Sequence, residues 1–207
     1  RGLIYDRNGL ILAGVQSRFV LTAVPAVVNK NPWVLQKAAE MLNADEAKLE
    51  EKVDAASWKP YIPTAIYVGV PIEVASRIAE AGDDLPGLGV ESQPMRYYPD
   101  SKAFSHVLGY VWTPNEKDDE RLAAQRLRPA TYVGKTGIEY QYEKELMGSP
   151  GADHLEVDAK RRPTRLVAKD NPTPGDQLIL GLDSDLQRLA LEQLKGKVGA
   201  VVALDPR

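Results

Sequence analysis

The sequence predicts an α+β fold in which short β-strands and helices of modest length are mixed along the chain. Three observations lead to this class: apolar runs of strand length, segments with helical spacing of apolar residues, and frequent Gly, Pro and Asn residues between them. We find no internal repeat or low-complexity segment. At 207 residues, the chain is long enough to bury a substantial core.

The first half of the chain is predicted to open with a β-hairpin. Asn8-Gly9 tolerates the positive φ angles of a tight turn between the apolar runs 3–5 and 10–13. The β-branched stretch 17–28 predicts another strand, and Asn31-Pro32 predicts the N-cap and first position of a helix. Further elements follow in order: a helix from residue 43 or 45, a strand over 64–68, a helix over 71–81 closed by Gly82, and a strand over 89–98.

The second half is predicted to contain three helices and three strands. A polar surface helix covers 115–127, and a helix from Gly137 carries an apolar stripe with i, i+4 spacing. The residues of that stripe are Ile138, Tyr142 and Leu146. Strands follow over 154–159, 164–168 and 177–182, and Ser184-x-x-Gln187 is interpreted as the capping box of a helix that ends at Leu194.

Composition excludes several kinds of function. The net charge of −3, from 26 basic and 29 acidic residues, gives no reason to expect a nucleic-acid partner. The chain has no cysteine, which excludes disulfides and thiolate metal sites, and we expect no cofactor. No apolar run reaches the roughly 20 residues of a membrane-spanning helix. Because the chain opens on Arg1 rather than Met, we expect its ends to be boundaries within a longer protein.

The tripeptide Lys135-Thr136-Gly137 is typical of an active-site strand in penicillin-interacting enzymes. That chemistry also requires a Ser-x-x-Lys motif for the nucleophile and a Ser-x-Asn motif. None of the eight serines begins either motif, and no Thr-x-x-Lys replaces them. We therefore interpret the tripeptide as a chance match, and we predict that this chain is not itself an enzyme.

Other candidate chemistry is weakly supported. His106 and His154 lack a second ligand at metal-site spacing, so no metal site is predicted. A hydrolase that uses two distant carboxylates stays open as an alternative, because such a pair can be far apart in sequence. The basic run 160–162, together with Arg165, is interpreted as a turn whose arginines pair with acids such as Glu139, Glu156 or Asp158.

Five ordered motifs resemble the non-catalytic N-terminal region of class B penicillin-binding proteins. In chain order they are the opening run 1–13, Arg96-Tyr97-Tyr98-Pro99 followed by His106-Val107-Leu108-Gly109-Tyr110-Val111, the run 134–151 that contains Ile138-Glu139 and Tyr142-Glu143, Glu156-Val157-Asp158-Ala159, and the run from Gly175-Asp176 to Asp205-Pro206. One position departs from the pattern, since Arg161 stands where the fourth motif has glycine. The second and third motifs are most similar to the branch that acts in cell elongation.

The resemblance implies an elongated pedestal with an inserted α/β head. Residues 1–19 and 96–182 would form the pedestal, 20–95 the head, and 183–207 the start of a truncated transpeptidase domain. The region would position the catalytic domain of a D,D-transpeptidase at the periplasmic face of the inner membrane. Its implied partners are the scaffold MreC and the glycosyltransferase RodA. The pedestal of a division-type enzyme is the alternative within the family.

The resemblance also implies which residues hold segments together. The candidate ties are Arg1, Asp6, Arg7, Arg96, His106, Glu139, Tyr142, Glu156, Asp158 and Arg162. Candidates for contact with a partner lie on the predicted head, and they are Tyr61, Ile66, Tyr67, Val70, Ile72 and Val74. No residue is predicted to be catalytic.

Overall fold

The computed structural model describes residues 1–125, 127, 131–158 and 163–204, with Pro163 and Leu166 described by their backbone alone. It is a mixed fold of helices and sheets, so the predicted α+β class is confirmed. The strands are β1 (Ile4–Tyr5), β2 (Ile11–Ala23), β3 (Thr64–Val70), β4 (Leu88–Tyr97), β5 (Val111–Trp112), β6 (Val133–Gly134), β7 (Ala152–Val157), β8 (Pro163–Asp170) and β9 (Leu178–Ile179). The helices are α1 (Pro25–Val28), α2 (Trp33–Leu42), α3 (Glu46–Ala55), α4 (Ile72–Ala81), α5 (Ser101–Leu108), α6 (Glu116–Ala124), α7 (Gly137–Gln141), α8 (Glu143–Met147) and α9 (Ser184–Leu194).

The chain divides into two compact units. The first unit comprises Arg1–Val15, Arg96–Ala152 and Asp170–Arg207, and the second comprises Gln16–Met95 and Asp153–Lys169. This division differs from the sequence-based domains in three places, and the first is that the second unit begins at Gln16 rather than at residue 20. The hairpin of β7 and β8 groups with the second unit rather than with the predicted pedestal, and α9 groups with the first unit rather than apart from it.

The first unit is built around the short strand β1. Its residue Ile4 pairs antiparallel with Ala13 of β2 on one side and parallel with Leu178 of β9 on the other. Ile4 is fully buried and packs in a core with Phe104, Leu108, Leu146 and their neighbours. The core therefore joins the start of the chain to helices α5 and α8 and to strand β9.

The second unit has a core of its own. Strand β2 pairs with β3, with Leu21 opposite Tyr67, and also with β4. Amphipathic helices α2, α3 and α4 place apolar residues such as Leu35, Leu49 and Ile78 into one cluster with the strand residues. Every buried member of this cluster belongs to the second unit.

Two predicted features of the first half are wrong. The strand predicted over 17–28 starts earlier and ends at Ala23, because Pro25 begins helix α1, where a fixed φ and a missing N–H are tolerated. Asn31 does not cap α2; its amide nitrogen donates to the Val27 carbonyl at 3.0 Å, and α2 has no side-chain cap. Asp45 does cap α3, by accepting from the Ala47 N–H.

Two predictions in the second half are also wrong. The helix predicted from Gly137 breaks at Tyr142 into α7 and α8, and Tyr142 is 40% exposed rather than part of the buried stripe. The cap of α9 is Asp183, whose carboxylate accepts from the N–H groups of Asp185 and Leu186. Ser184 is instead buried, and its hydroxyl donates to Asp6.

Candidate functional site

A buried carboxylate, Glu139, lies at the centre of a charged network in the first unit. Arg1 Nε donates to Glu139 Oε2 at 2.7 Å, and Arg96 Nε donates to Glu139 Oε1 at 2.6 Å. The Tyr98 hydroxyl donates to the same Oε1 at 3.2 Å. Glu139 is fully buried, and the side chain of Arg96 is 4% exposed. Three segments that are distant in sequence therefore meet on one carboxylate.

A second buried carboxylate, Glu143, completes the network. Arg1 Nη1 and Nη2 donate to the two oxygens of Glu143, each at 2.9 Å, which is the paired geometry that favours arginine. The Gly134 N–H also donates to Glu143, at 2.7 Å. Two arginines thus face two glutamates, and the formal charges of Arg1, Arg96, Glu139 and Glu143 cancel. A charge-balanced group of this kind can be buried without leaving an unpaired charge in the interior.

The two arginines also donate to main-chain oxygens. Arg1 Nη2 donates to the Glu139 carbonyl at 2.9 Å, and Arg96 Nη1 donates to the Gly2 carbonyl at 2.6 Å. Arg96 Nη2 is buried without an acceptor in the described part of the chain, and the guanidinium carbon lies 6.0 Å from the centre of the Tyr98 ring. The network therefore fixes backbone as well as side chains.

Local structure explains why the two glutamates converge. Glu139 in α7 and Glu143 in α8 are four residues apart, so that both carboxylates point to one side despite the break at Tyr142. Gly134 lets the backbone approach closely, since a Cβ there would lie 2.0 Å from the Glu139 carbonyl oxygen. Close backbone packing next to the network therefore requires glycine at this position.

The network shifts the pKa of two of its members. Burial by itself would lower the pKa of Arg1, but hydrogen bonds and charges from Glu143 and Glu139 outweigh it and raise that pKa above its ordinary value. Burial, together with the nearby charge of Glu139, raises the pKa of Tyr98. Both shifts favour a charged Arg1 and a neutral Tyr98 at physiological pH.

Asp6 forms a second polar tie within the first unit. Its Oδ1 accepts from the N–H groups of Asn8 and Leu10, each at 2.8 Å, and holds the hairpin turn. Its Oδ2 accepts from the Ser184 hydroxyl at 2.7 Å and from the Ser184 N–H at 3.3 Å. The Ser184 hydroxyl and the backbone N–H groups lower the pKa of Asp6 to about 2. Asp6 thereby joins the first hairpin to the start of α9.

A third tie connects α6 to the segment before α7. Asp118 forms a capping box with Asn115 and an ion pair with Lys135, and the hydrogen bond from Lys135 is the main cause that lowers the pKa of Asp118. Arg121 stacks on Tyr140, with its guanidinium carbon 4.3 Å from the ring centre. These contacts anchor a helix that the sequence identified only as polar.

The other predicted ties are placed differently. Arg7, His106 and Tyr142 are exposed, although the Arg7 backbone N–H donates to the Leu182 carbonyl. Glu156 is exposed on β7 and pairs loosely with Arg165 at 3.7 Å. Asp158 directly follows the last residue of that strand, and Arg162 lies outside the described residues. Within the described residues, the arginines that meet Glu139 are Arg1 and Arg96.

The predicted partner-binding residues divide by burial. Ile66 and Val70 are 0% and 5% exposed and belong to the core of the second unit, so their side chains do not face a partner and this part of the prediction is wrong. Both lie on β3, whose apolar run does not by itself reveal which of its side chains face the core. Ile72 is 60% exposed, and Tyr61, Tyr67 and Val74 are half-buried.

Three tie residues were not predicted from the sequence, namely Glu143, Tyr98 and Ser184. Glu143 and Tyr98 were already part of the quoted motifs, and the spacing of Glu143 from Glu139 was a usable signal. Ser184 could not be distinguished from a helix cap, because its partner Asp6 is 178 residues away.

The arrangement suits structure rather than catalysis. Both buried glutamates are occupied by arginine donors, which leaves neither as a free base or nucleophile. Among the described residues, no three or more His, Asp or Glu side chains form a group that could hold a metal ion. Within the same residues, no helix combines the length and apolar character needed to cross a membrane.

Comparison with known proteins shows the family of the chain. A family model described as "Penicillin-binding Protein dimerisation domain" matches residues 1–180. Peptidoglycan D,D-transpeptidase MrdA of Acinetobacter baumannii is 35% identical over 210 residues, covering 100% of this chain and 31% of the relative. MrdA of Escherichia coli K12 is 32% identical, covering 100% of this chain and 34% of the relative. The chain thus spans about a third of the length of these curated relatives.

A solved structure gives the same assignment. The complex between penicillin-binding protein (PBP2) and MreC from Helicobacter pylori matches with a TM-score of 0.70 and 25% identity, covering 95% of this chain and 37% of that chain. The ordered motifs and these matches have one explanation. The chain belongs to the penicillin-binding protein dimerisation domain family, in the branch of the MrdA and PBP2 proteins.

Proposed function

We propose that this chain is the non-catalytic pedestal of a D,D-transpeptidase of cell elongation, and that it holds the catalytic domain in position. The observation that supports this most is the Arg1–Glu139–Arg96 network, because it fixes the opening segment of the chain to two of the family motifs. A buried, charge-balanced network adds orientation more than net stability. Orientation is what a pedestal has to supply.

The proposed catalytic activity belongs to the full-length protein. The relatives are D,D-transpeptidases by name, and this chain carries neither Ser-x-x-Lys nor Ser-x-Asn. We place the pedestal on the extracytoplasmic face of the bacterial inner membrane, where peptidoglycan cross-linking takes place. Catalysis would then reside in a domain that the chain supports rather than contains.

The proposed partner of the second unit is an MreC-like scaffold protein. The similar PBP2 was solved in a complex with MreC. The second unit also exposes apolar and aromatic side chains of the kind enriched in protein interfaces, including Ile72 at 60%, Trp33 at 49% and Trp58 at 75%. A RodA-like glycosyltransferase is a second proposed partner, and it rests on family resemblance alone.

Calorimetric titration with the soluble part of the cognate MreC tests the proposal. We expect binding by the chain as described and at least tenfold weaker binding by Ile72→Glu. The carboxylate would enter the first turn of α4, where a helix tolerates negative charge, so the fold is retained. The matched control is Leu186→Glu, which replaces a 58% exposed leucine in the first turn of α9 in the first unit, and it should bind normally.

The outcomes separate the candidate functions. Absence of MreC binding at high micromolar concentrations, with binding to the division-type scaffold instead, would contradict the proposed MreC-like partner and favour a partner from the division machinery. Equal loss of binding in both variants would contradict the proposed location on the second unit. Sustained clearing of peptidoglycan in a zymogram, lost on replacing a single acidic residue, would favour the hydrolase alternative.

A further inference from the structure

A pocket in the second unit combines an apolar lining with exposed carboxylates. It has a volume of about 270 Å³. Its apolar lining comes from the buried side chains of Val28, Leu35 and Val53, and its polar lining includes the exposed side chains of Glu50 and Asp54. Helices α2 and α3 supply most of these residues.

The two carboxylates of the pocket lie where they destabilise the helix that carries them. Glu50 and Asp54 are four residues apart on α3, and like charges at this spacing repel each other. Asp54 also lies in the last turn, where the helix end already bears partial negative charge. In the described part of the chain, no basic side chain forms an ion pair with either of them. A bound cation would relieve both unfavourable interactions.

The lining favours an organic cation over a metal ion. Calcium and magnesium need six or more oxygen ligands, and the described residues include no cluster of three or more acidic or histidine ligands. An apolar lining beside carboxylates instead matches a lysine or arginine side chain, whose aliphatic stem packs on carbon while its charged end meets acids. The volume lies just below the roughly 300–1,000 Å³ of small-molecule sites, which suits a single side chain.

The surroundings of the pocket indicate that a protein supplies this side chain. Pro32 lines the pocket, and the next residue, Trp33, is 49% exposed. Trp58 follows Asp54 by four residues and is 75% exposed. Exposed tryptophans are enriched among residues that dominate binding energy at protein interfaces. We infer that the pocket receives a lysine or arginine side chain of the scaffold protein that binds the second unit; this inference rests on the proposed function.

The first test uses a minimal probe in place of the scaffold. Nα-acetyl-lysine amide is titrated into the ¹⁵N-labelled chain, with Nα-acetyl-norleucine amide as the probe that keeps the aliphatic stem but lacks the ammonium. We expect saturable shifts at the amides of Asn29, Glu50 and Asp54 with the lysine probe, and at least tenfold weaker binding of the norleucine probe. Equal binding of the two probes, or shifts scattered over the surface, would overturn the inference.

The second test uses paired variants of α3. Glu50→Gln/Asp54→Asn removes the two pocket charges, and Glu46→Gln/Glu51→Gln removes two charges of the same helix that do not line the pocket. We expect the first variant to lose the lysine-probe shifts and to bind the MreC-like scaffold at least tenfold more weakly, while the second behaves like the unaltered chain. The first variant should melt at the same temperature or higher, because its removed charges repelled each other.

The results distinguish failure of this inference from failure of the proposed function. Undiminished scaffold binding by Glu50→Gln/Asp54→Asn would overturn the inference and leave the proposed function intact. Absence of scaffold binding by the unaltered chain would contradict the proposed partner, and with it the claim that this scaffold fills the pocket. Scaffold binding that weakens equally in both α3 variants would show a general effect of charge and would also overturn the inference.

Discussion

At the scale of single residues, the decisive feature is that buried charges are matched. Glu139 meets Arg1 and Arg96, and Glu143 meets Arg1 in paired geometry. Removing one partner from such a group leaves a charge in a site where water cannot solvate it, which costs far more than the intact pair contributes. The contribution of these residues to stability is therefore best tested by replacing one member of a buried ion pair.

Replacing the central carboxylate should destabilise the first unit strongly. Glu139→Ala leaves Arg96, 4% exposed, without its main acceptor, and we expect a loss of about 3–5 kcal/mol in the free energy of unfolding. Urea denaturation followed by circular dichroism measures it. Glu145→Ala, on the exposed side of α8, is the control and should change stability by less than about 0.5 kcal/mol. An unfolding midpoint for Glu139→Ala equal to that of the control would contradict this role.

Asp6 should make stability depend on pH in the acid range. Its folded pKa of about 2 is below the roughly 3.9 of an unfolded aspartate, so the unfolded chain binds more protons between these values. The contribution of Asp6 is therefore complete above about pH 4 and is lost as the pH falls through about 2. We expect the stability difference between the chain and its Asp6→Asn variant to shrink over that window. A difference that is constant from pH 7 to pH 2 would exclude this linkage.

At the scale of elements, glycines set how closely segments pack. Gly109, which ends α5, has φ of 74°, and a Cβ there would lie 1.9 Å from the Thr136 carbonyl oxygen just before α7. Gly9, in the hairpin turn, has φ of 83°, yet its Cβ would meet nothing within 4 Å. A side chain would be strained by the positive φ at both positions, but only at Gly109 would it also clash with another segment. The two positions are therefore a matched pair.

Substitutions at this pair should separate strain from close packing. Gly9→Ala meets only the left-handed backbone penalty, about 1–2 kcal/mol. Gly109→Ala adds a clash with backbone that cannot move aside without shifting α5 from α7, so we expect a loss at least 2 kcal/mol larger. Thermal and urea unfolding of both variants measure the difference. Equal losses would mean that the contact between Gly109 and Thr136 does not constrain the fold.

At the scale of the whole molecule, the chain buries two separate cores. One core contains Phe104 and Leu146 of the first unit, and the other contains Leu49 and Ile66 of the second. Each cluster draws its buried residues from one unit only. Local opening of one core is therefore expected to leave the other protected.

A cavity in one core should loosen one unit selectively. Leu49→Ala removes a side chain that is 2% exposed, and we expect a loss of about 2–5 kcal/mol together with faster hydrogen exchange at the amides of α2, α3 and β3. Amides of the first unit, such as Gly134, should exchange at an unchanged rate. Leu146→Ala is the reciprocal variant and should loosen the first unit alone. Equal acceleration throughout the chain in either variant would show that the molecule opens as one unit.

Much of the fold and part of the site could be read from sequence. Apolar spacing identified α2, terminal signals identified α4 and α9, and turn residues identified the first hairpin, because these signals depend on neighbours within a few residues. Motif resemblance selected Arg1, Asp6, Arg96 and Glu139, which the structure brings into its buried polar ties. The same reasoning selected Arg7, His106 and Tyr142, which are exposed, since a motif does not tell a tie from a surface residue.

What the sequence alone determined is the α+β class, most of the helices, and the family to which the chain belongs. Only the tertiary structure decided the partners: which arginines meet Glu139, that Asp183 rather than Ser184 caps α9, and that Ile66 and Val70 face inward. The physical reason is the distance along the sequence between the residues that interact. Helical spacing and turns are set by local sterics and hydrogen bonds, whereas pairing of polar and charged groups 43 to 178 residues apart depends on how the whole chain packs.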